Sequence, residues 1–102
     1  VNITGGGLFN NLSRMIPVGL QGNINLEQVK VLKIFKWLKT KNIAESEMLK
    51  TFNCGIGFCL IVNKKNIQKI SSFFSKKYRP YIIGHISKGS KRINKYGKIN
   101  WK

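Results

Sequence analysis

The sequence predicts an α+β domain, a layered α/β/α arrangement around a mixed β-sheet, and three observations carry that expectation. Strand-like and helix-like segments alternate along the chain, and the helical ones are long enough to cover a sheet. Phe58-Cys59-Leu60-Ile61-Val62 is an unbroken apolar run, the signature of a central strand covered on both faces. At 102 residues with 42% hydrophobic content, a single domain spanning 1–102 is expected, with a core of its own and no internal boundary.

Taken in order, Val1 to Ile3 reads as the end of a strand that feeds Thr4-Gly5-Gly6-Gly7. Leu8, Phe9, Leu12, Met15 and Ile16 then fall on one helical face, and Pro17 stops it. A Gly-rich connection, Pro17 to Gly22, leads to a short strand around Ile24 and Leu26. From Val31 to Lys41 a helix carries Val31, Leu32, Phe35 and Leu38 on one face, while Ile34 and Trp37 widen its apolar surface so that it packs on two sides. Ala44 to Thr51 is a short helix with Glu45 and Glu47 in its first turn, where negative charge suits the helix dipole. Asn63 is an N-cap for a helix to about Lys77 that turns Ile67, Ile70, Phe73 and Phe74 inward. Pro80 ends it; Tyr81 to Ile86 reads as a strand, and 91–102 as a further strand or hairpin around Gly97.

The charge is one-sided: 19 Lys and Arg against Glu27, Glu45 and Glu47, a net charge of +16. A polyanion partner is one implication. The other is compositional: 16 Lys, 14 Ile and 11 Asn are residues that A/T-rich codons supply, so Lys on solvated faces fits base-composition drift. No apolar run approaches the ~18 residues a membrane span requires, and no signal peptide opens the chain; a cytosolic protein is expected. Starting at Val1 on what looks like a strand end, the chain reads as a fragment of something longer. Cys54 and Cys59 are expected as free, largely buried thiols. With His85 the only other soft ligand, no metal site is predicted. Glu45 and Glu47, at i and i+2, do not face each other on a helix.

The chemistry concentrates in the glycines. Gly has nothing to pack and loses the most backbone entropy on ordering, so three in succession imply that bare backbone is needed for an approaching ligand. A turn of this kind, rich in unpaired N–H groups, suits a phosphate or carboxylate.

Three segments together resemble one family. Ile3-Thr4-Gly5-Gly6-Gly7-Leu8, followed by Asn11-Leu12-Ser13-Arg14-Met15-Ile16-Pro17, is similar to the I-T-G-G-G-L…N-I-P-R-x-L-P segment of the aminoimidazole ribonucleotide synthetase, or phosphoribosylformylglycinamidine cyclo-ligase, family. Ile34-Phe35-Lys36-Trp37-Leu38 resembles its F-x-W-L helix. Glu47 to Gly57 resembles its E-M-x-R-T-F-N-x-G-x-G signature, and Ile83-Gly84 falls where the family has I-G. The resemblance spans residues 2–86, leaves a basic tail at 87–102, and corresponds to the C-terminal domain of that enzyme.

It implies that an N-terminal domain, outside this chain, supplies most contacts to ATP and Mg2+ and forms a homodimer. The implied reaction is ATP-dependent: the formamide oxygen of formylglycinamidine ribonucleotide is phosphorylated, a neighbouring nitrogen closes the imidazole ring, and phosphate leaves. Positioning and charge stabilisation would carry such catalysis. The implied phosphate- or substrate-binding residues are Thr4, Gly5, Gly6, Gly7 and Asn11, with Asn53 and Gly55 lining the cleft toward the missing domain. No catalytic residue is assigned, and the fragment alone is expected to be inactive.

The chain departs from the family at Asn2, where a His is usual, at Ser13 in place of a Pro, and at Ala44, which cannot cap its helix. Related ATP-using synthetases share the architecture. A basic nucleic-acid-binding module is the alternative from another class; specific nucleic-acid binding is not expected, because Phe35, Trp37, Phe73 and Phe74 sit at helical core spacing rather than on an open face. A purely scaffolding or regulatory domain is a third.

Overall fold

The computed structural model describes residues 1–102. Four helices, α1 (Gly7–Ser13), α2 (Lys33–Lys39), α3 (Glu45–Thr51) and α4 (Ile67–Ser71), accompany three strands, β1 (Leu20–Asn25), β2 (Gly84–Lys88) and β3 (Ile93–Tyr96). The sheet has the order β2-β1-β3, with β1 antiparallel to β2 and parallel to β3. The fold is thus α+β with a mixed sheet, as the alternation of segments predicts.

The core lies where α1 and α3 pack together beside the sheet. Leu8 and Leu12 of α1, Met48 and Leu49 of α3, and Ile24 of β1 form its centre, joined by Ile3, Leu26, Val29, Cys54, Ile56 and Ile99. Ile16, just beyond α1, covers β1 at Gly22, where a Cβ would lie 2.8 Å from its Cδ1. α3 is preceded by Ala44, which makes no side-chain cap, and carries Glu45 and Glu47 in its first turn as expected. Both carboxylates have structural partners: Trp101 Nε1 donates to Glu45 at 2.8 Å and Thr51 Oγ1 to Glu47 at 2.8 Å. The tail is tied down by that indole bond and by buried Ile99.

Four expectations are corrected. Phe58–Val62 is not a central strand: only an isolated antiparallel bridge, Asn2 to Phe58, engages it, and Phe58, Leu60 and Ile61 are at least half exposed. The helix after Asn63 is much shorter than predicted. Asn63 caps only a short 3-10 turn, Lys64–Asn66, accepting from the Lys65 N–H at 3.1 Å; α4 follows from Ile67 with no side-chain cap and ends at Ser71. There the Ser72 hydroxyl donates to the Lys69 carbonyl at 2.6 Å and the backbone tightens, Phe73 bonding to Ile70 and Phe74 to Ser71. Phe73 and Phe74 are consequently exposed rather than inward. α2 packs on one side only, through Phe35, Leu38 and the preceding Val31, leaving Ile34 and Trp37 more than half exposed. The strand predicted at Tyr81–Ile86 forms later, at Gly84–Lys88, with Gly84 set so close to the Asn23 carbonyl of β1 that a Cβ would lie 2.0 Å from it.

The central strand is instead the polar one. Asn23 is buried, and its carboxamide joins all three strands, donating to Ser87 Oγ at 2.8 Å and accepting from Gln21 Nε2 at 2.7 Å and Asn94 Nδ2 at 3.1 Å. Satisfied on every side, an amide can occupy a position that hydropathy alone assigns to Val or Ile.

Candidate functional site

The Thr4–Gly7 turn is built on two successive positive φ angles, 97° at Gly6 and 76° at Gly7, which L residues other than glycine rarely adopt. The Gly7 N–H closes the turn onto the Thr4 carbonyl at 3.1 Å. From below, Asn11 Nδ2 donates to the Gly7 carbonyl at 2.7 Å and lies 3.4 Å from those of Thr4 and Gly5. With the turn's carbonyls gathered around one buried amide, the N–H groups of Thr4, Gly5 and Gly6 are left without a backbone partner.

The three glycines have different reasons to be glycine. A Cβ on Gly7 would stand 1.7 Å from the Leu49 carbonyl oxygen at the end of α3, so its bare backbone serves packing and not a ligand. On Gly6 it would meet the Asn10 side chain at 3.0 Å. On Gly5 it would meet nothing within 4 Å, and φ there is unremarkable. Only at Gly5 does the expectation that glycine keeps space for an approaching group retain its force.

Asn53 and Gly55 form a second turn. Asn53 Oδ1 accepts from the Gly55 N–H at 2.9 Å, Cys54 adopts φ 54° and Gly55 φ 112°. A Cβ on Gly55 would lie 3.0 Å from the Lys30 carbonyl, so this turn fits against the strand-like run before α2. The two turns belong to one neighbourhood: Gly7 abuts the end of α3, which runs directly into Asn53, and the Ile3 N–H donates to the Gly57 carbonyl at 2.9 Å. Gly57, like Gly5, has open space where a Cβ would be. The structure therefore brings Thr4–Gly7 and Asn53–Gly57 together. Asn11 serves the first turn as its buried support and does not present its amide to solvent.

Sequence reasoning assigned Asn11 to binding and missed that support, although a signal exists. It shares a helical face with Leu8 and Leu12, and a polar group inside an apolar stripe implies a buried partner. Burial pushes the Cys54 thiol, in the second turn, up to about 11 and raises that of Cys59 as well. No three His, Cys, Asp or Glu side chains converge to hold a metal. Asn2, at the family's His position, is exposed and bridges Phe58.

A family profile described as "AIR synthase related protein, C-terminal domain" matches residues 2–95, continuing past Ile86 into β3. The phosphoribosylformylglycinamidine cyclo-ligase of Carboxydothermus hydrogenoformans is 39% identical over 94 residues, which cover 90% of this chain and 27% of that protein. The enzyme of the same name from Staphylococcus epidermidis is 39% identical over 89 residues, covering 85% of this chain and 26% of its own length. The chain spans about a quarter of the length of these relatives. On the match across nearly its whole length, it belongs to the AIR synthase related protein C-terminal domain family.

Proposed function

We propose that this chain is the C-terminal domain of a phosphoribosylformylglycinamidine cyclo-ligase of purine biosynthesis, an ATP-dependent enzyme that closes formylglycinamidine ribonucleotide to aminoimidazole ribonucleotide. The observation that carries the reading is the 39% identity, over 90% of the chain, to a relative of that name. The Thr4–Gly5–Gly6 turn, exposed at Thr4 and Gly5 and with three N–H groups free, supports a role in holding a phosphate of substrate or nucleotide. Gly5 lets the anion reach the backbone, Asn11 fixes the carbonyls away from it, and Asn53 and Gly55 shape the adjoining wall.

Mg2+ bound with a nucleotide is held by one or two free carboxylates together with phosphate oxygens and waters. Glu45 and Glu47 are engaged by Trp101 and Thr51 and do not fit that need, so in this reading the ion and most of ATP are held by the rest of the polypeptide, in a cytoplasmic homodimer. The complete polypeptide should form aminoimidazole ribonucleotide and ADP in equal amounts from formylglycinamidine ribonucleotide and ATP. Absence of ring closure under conditions where a bacterial relative is active overturns the assignment.

One observation favours the second reading, a basic nucleic-acid surface. Trp37 and Tyr78 are exposed, with Lys41 Nζ 4.9 Å and Lys77 Nζ 5.4 Å from their ring centroids. RNA binding that persists with sequence preference above roughly 0.3 M salt would support it.

A further inference from the structure

Beyond β3 the chain runs past residues 2–95, the span that matches the family, and folds back across the domain. At Gly97 it passes so close to the turn after β1 that a Cβ would lie 3.0 Å from Asn25 Oδ1 and Glu27 Cγ. Ile99 then enters the core, and Trp101 packs against the rim of that core. Three contacts fasten the end of the segment to the two helices beside it. Trp101 Nε1 donates to Glu45 of α3 at 2.8 Å, Lys39 Nζ of α2 lies 6.0 Å from the centroid of the Trp101 ring, and Lys36 Nζ of α2 donates to the Lys102 carbonyl at 2.8 Å. Residues 97–102 are therefore a strap over α2 and α3 and not a free basic tail.

α3 needs a fastening at one end and passes it on at the other. Ala44 gives its first turn no side-chain cap, and the Trp101 indole is the only side-chain hydrogen-bond partner which that turn has from outside the helix. Toward the far end, about 6 Å of helix rise from Glu45, the Leu49 carbonyl is seated on Gly7 with no room for a methyl group between them, and the helix runs on into Asn53–Gly57. Seven hydrogen-bonded residues move as one body, so a displacement of the helix start reaches both turns. We infer that Trp101 is a positioning residue: through Glu45 and α3 it sets the Thr4–Gly7 turn, although its only side-chain hydrogen bond is to Glu45. That bond is exposed, so its loss should let α3 shift without emptying the space that Ile99 fills. The inference rests on the reading of Thr4–Gly7 as a phosphate-holding turn, but its first test is not catalytic.

Amide hydrogen exchange of the complete polypeptide reads this coupling. Trp101→Phe keeps a ring against the core and removes the N–H donor, while Glu45→Ala removes the acceptor from an exposed position where folding is not at risk. In either variant the Gly7 and Met48 amides, bonded to the Thr4 and Ala44 carbonyls, should exchange about 3–10-fold faster, the size of one hydrogen bond, while Asn23 and Ile24 in β1 keep their protection. The double variant should be no worse than either single one, and Glu45→Gln, which retains an acceptor oxygen, should keep the slow exchange. Ring-closure kcat/KM of Trp101→Phe should fall by about 10-fold, less than the ~10²-fold that a full 1 Å misplacement costs. Unchanged exchange at Gly7 in both single variants overturns the inference, and so does a rise that Asn23 and Ile24 share, the mark of general destabilisation. Additive effects of the two substitutions overturn it as well, because they would not act through one bond. Unchanged kcat/KM in a Trp101→Phe enzyme whose Gly7 exchange has risen overturns the positioning role. Absence of ring closure in the wild type, with the exchange changes present, would count against the proposed function and leave the strap standing.

Discussion

Replacing Gly7 by alanine sets a methyl group 1.7 Å from the Leu49 carbonyl oxygen at a residue whose φ is 76°. The backbone alone disfavours an L side chain at such an angle by about 1–2 kcal/mol. A carbon–oxygen approach this short cannot be accepted. The end of α3 must move by more than 1 Å or the turn must reopen, and over-packing of that order costs about 1–3 kcal/mol. Together these amount to about 2–5 kcal/mol, against a total stability of about 5–15 kcal/mol for a chain of this size. With about 4–8 °C per kcal/mol, the melting temperature should fall by at least about 8 °C. Gly5→Ala is the internal control: its methyl meets nothing within 4 Å, so stability should change by less than about 1 kcal/mol in the same urea or thermal titration. Two results would refute the reasoning: Gly7→Ala melting within 2 °C of the wild type on the scale of about 4–8 °C per kcal/mol, or Gly5→Ala costing as much as Gly7→Ala.

Three further outcomes are expected. Gly84→Ala, with its Cβ 2.0 Å from the Asn23 carbonyl, should separate β2 from β1 and destabilise by about 1–3 kcal/mol, seen as lost amide protection at Asn23 to Asn25. Asn11→Leu keeps the size of the side chain but removes the donor at 2.7 Å from the Gly7 carbonyl; a loss of about 1–3 kcal/mol is expected in urea unfolding, and an unchanged midpoint would show that the amide does not hold the turn. Burial raises the Cys54 thiol from 9.0 to about 11, so the folded chain retains a proton that the unfolded chain releases in that interval. Its contribution to stability is complete below pH 9 and is lost as pH rises toward 11; the wild type should therefore lose more stability than Cys54→Ala across this range, and parallel pH profiles would contradict the burial argument.

Local signals proved the most legible. The Glu45/Glu47 helix start, the Asn63 cap and the glycine turn opening a helix are each settled by neighbours in sequence, and the structure has them where the residues point. The apolar run Phe58–Val62 misled because periodicity reports what a segment can bury and not whether a partner strand lies beside it. The polar strand β1 was under-read for the converse reason: Asn23 is buried by amide and hydroxyl groups from Gln21, Ser87 and Asn94, two of them distant in sequence. Within the candidate site, glycine content alone could not distinguish Gly7, filled by a carbonyl from α3, from Gly5, which faces open space. That distinction is tertiary, and it narrows the ligand argument to one position.

Gly5→Val in the complete polypeptide tests the central claim most directly, because Gly5 is the glycine of the turn that packing does not explain. Bulk there should block an anion from the free N–H groups of Thr4, Gly5 and Gly6 without touching the core. Ring-closure kcat/KM is expected to fall by about 10²-fold or more with the melting temperature within a few degrees of the wild type. Full activity in a folded Gly5→Val enzyme would contradict the assignment of the turn to phosphate binding.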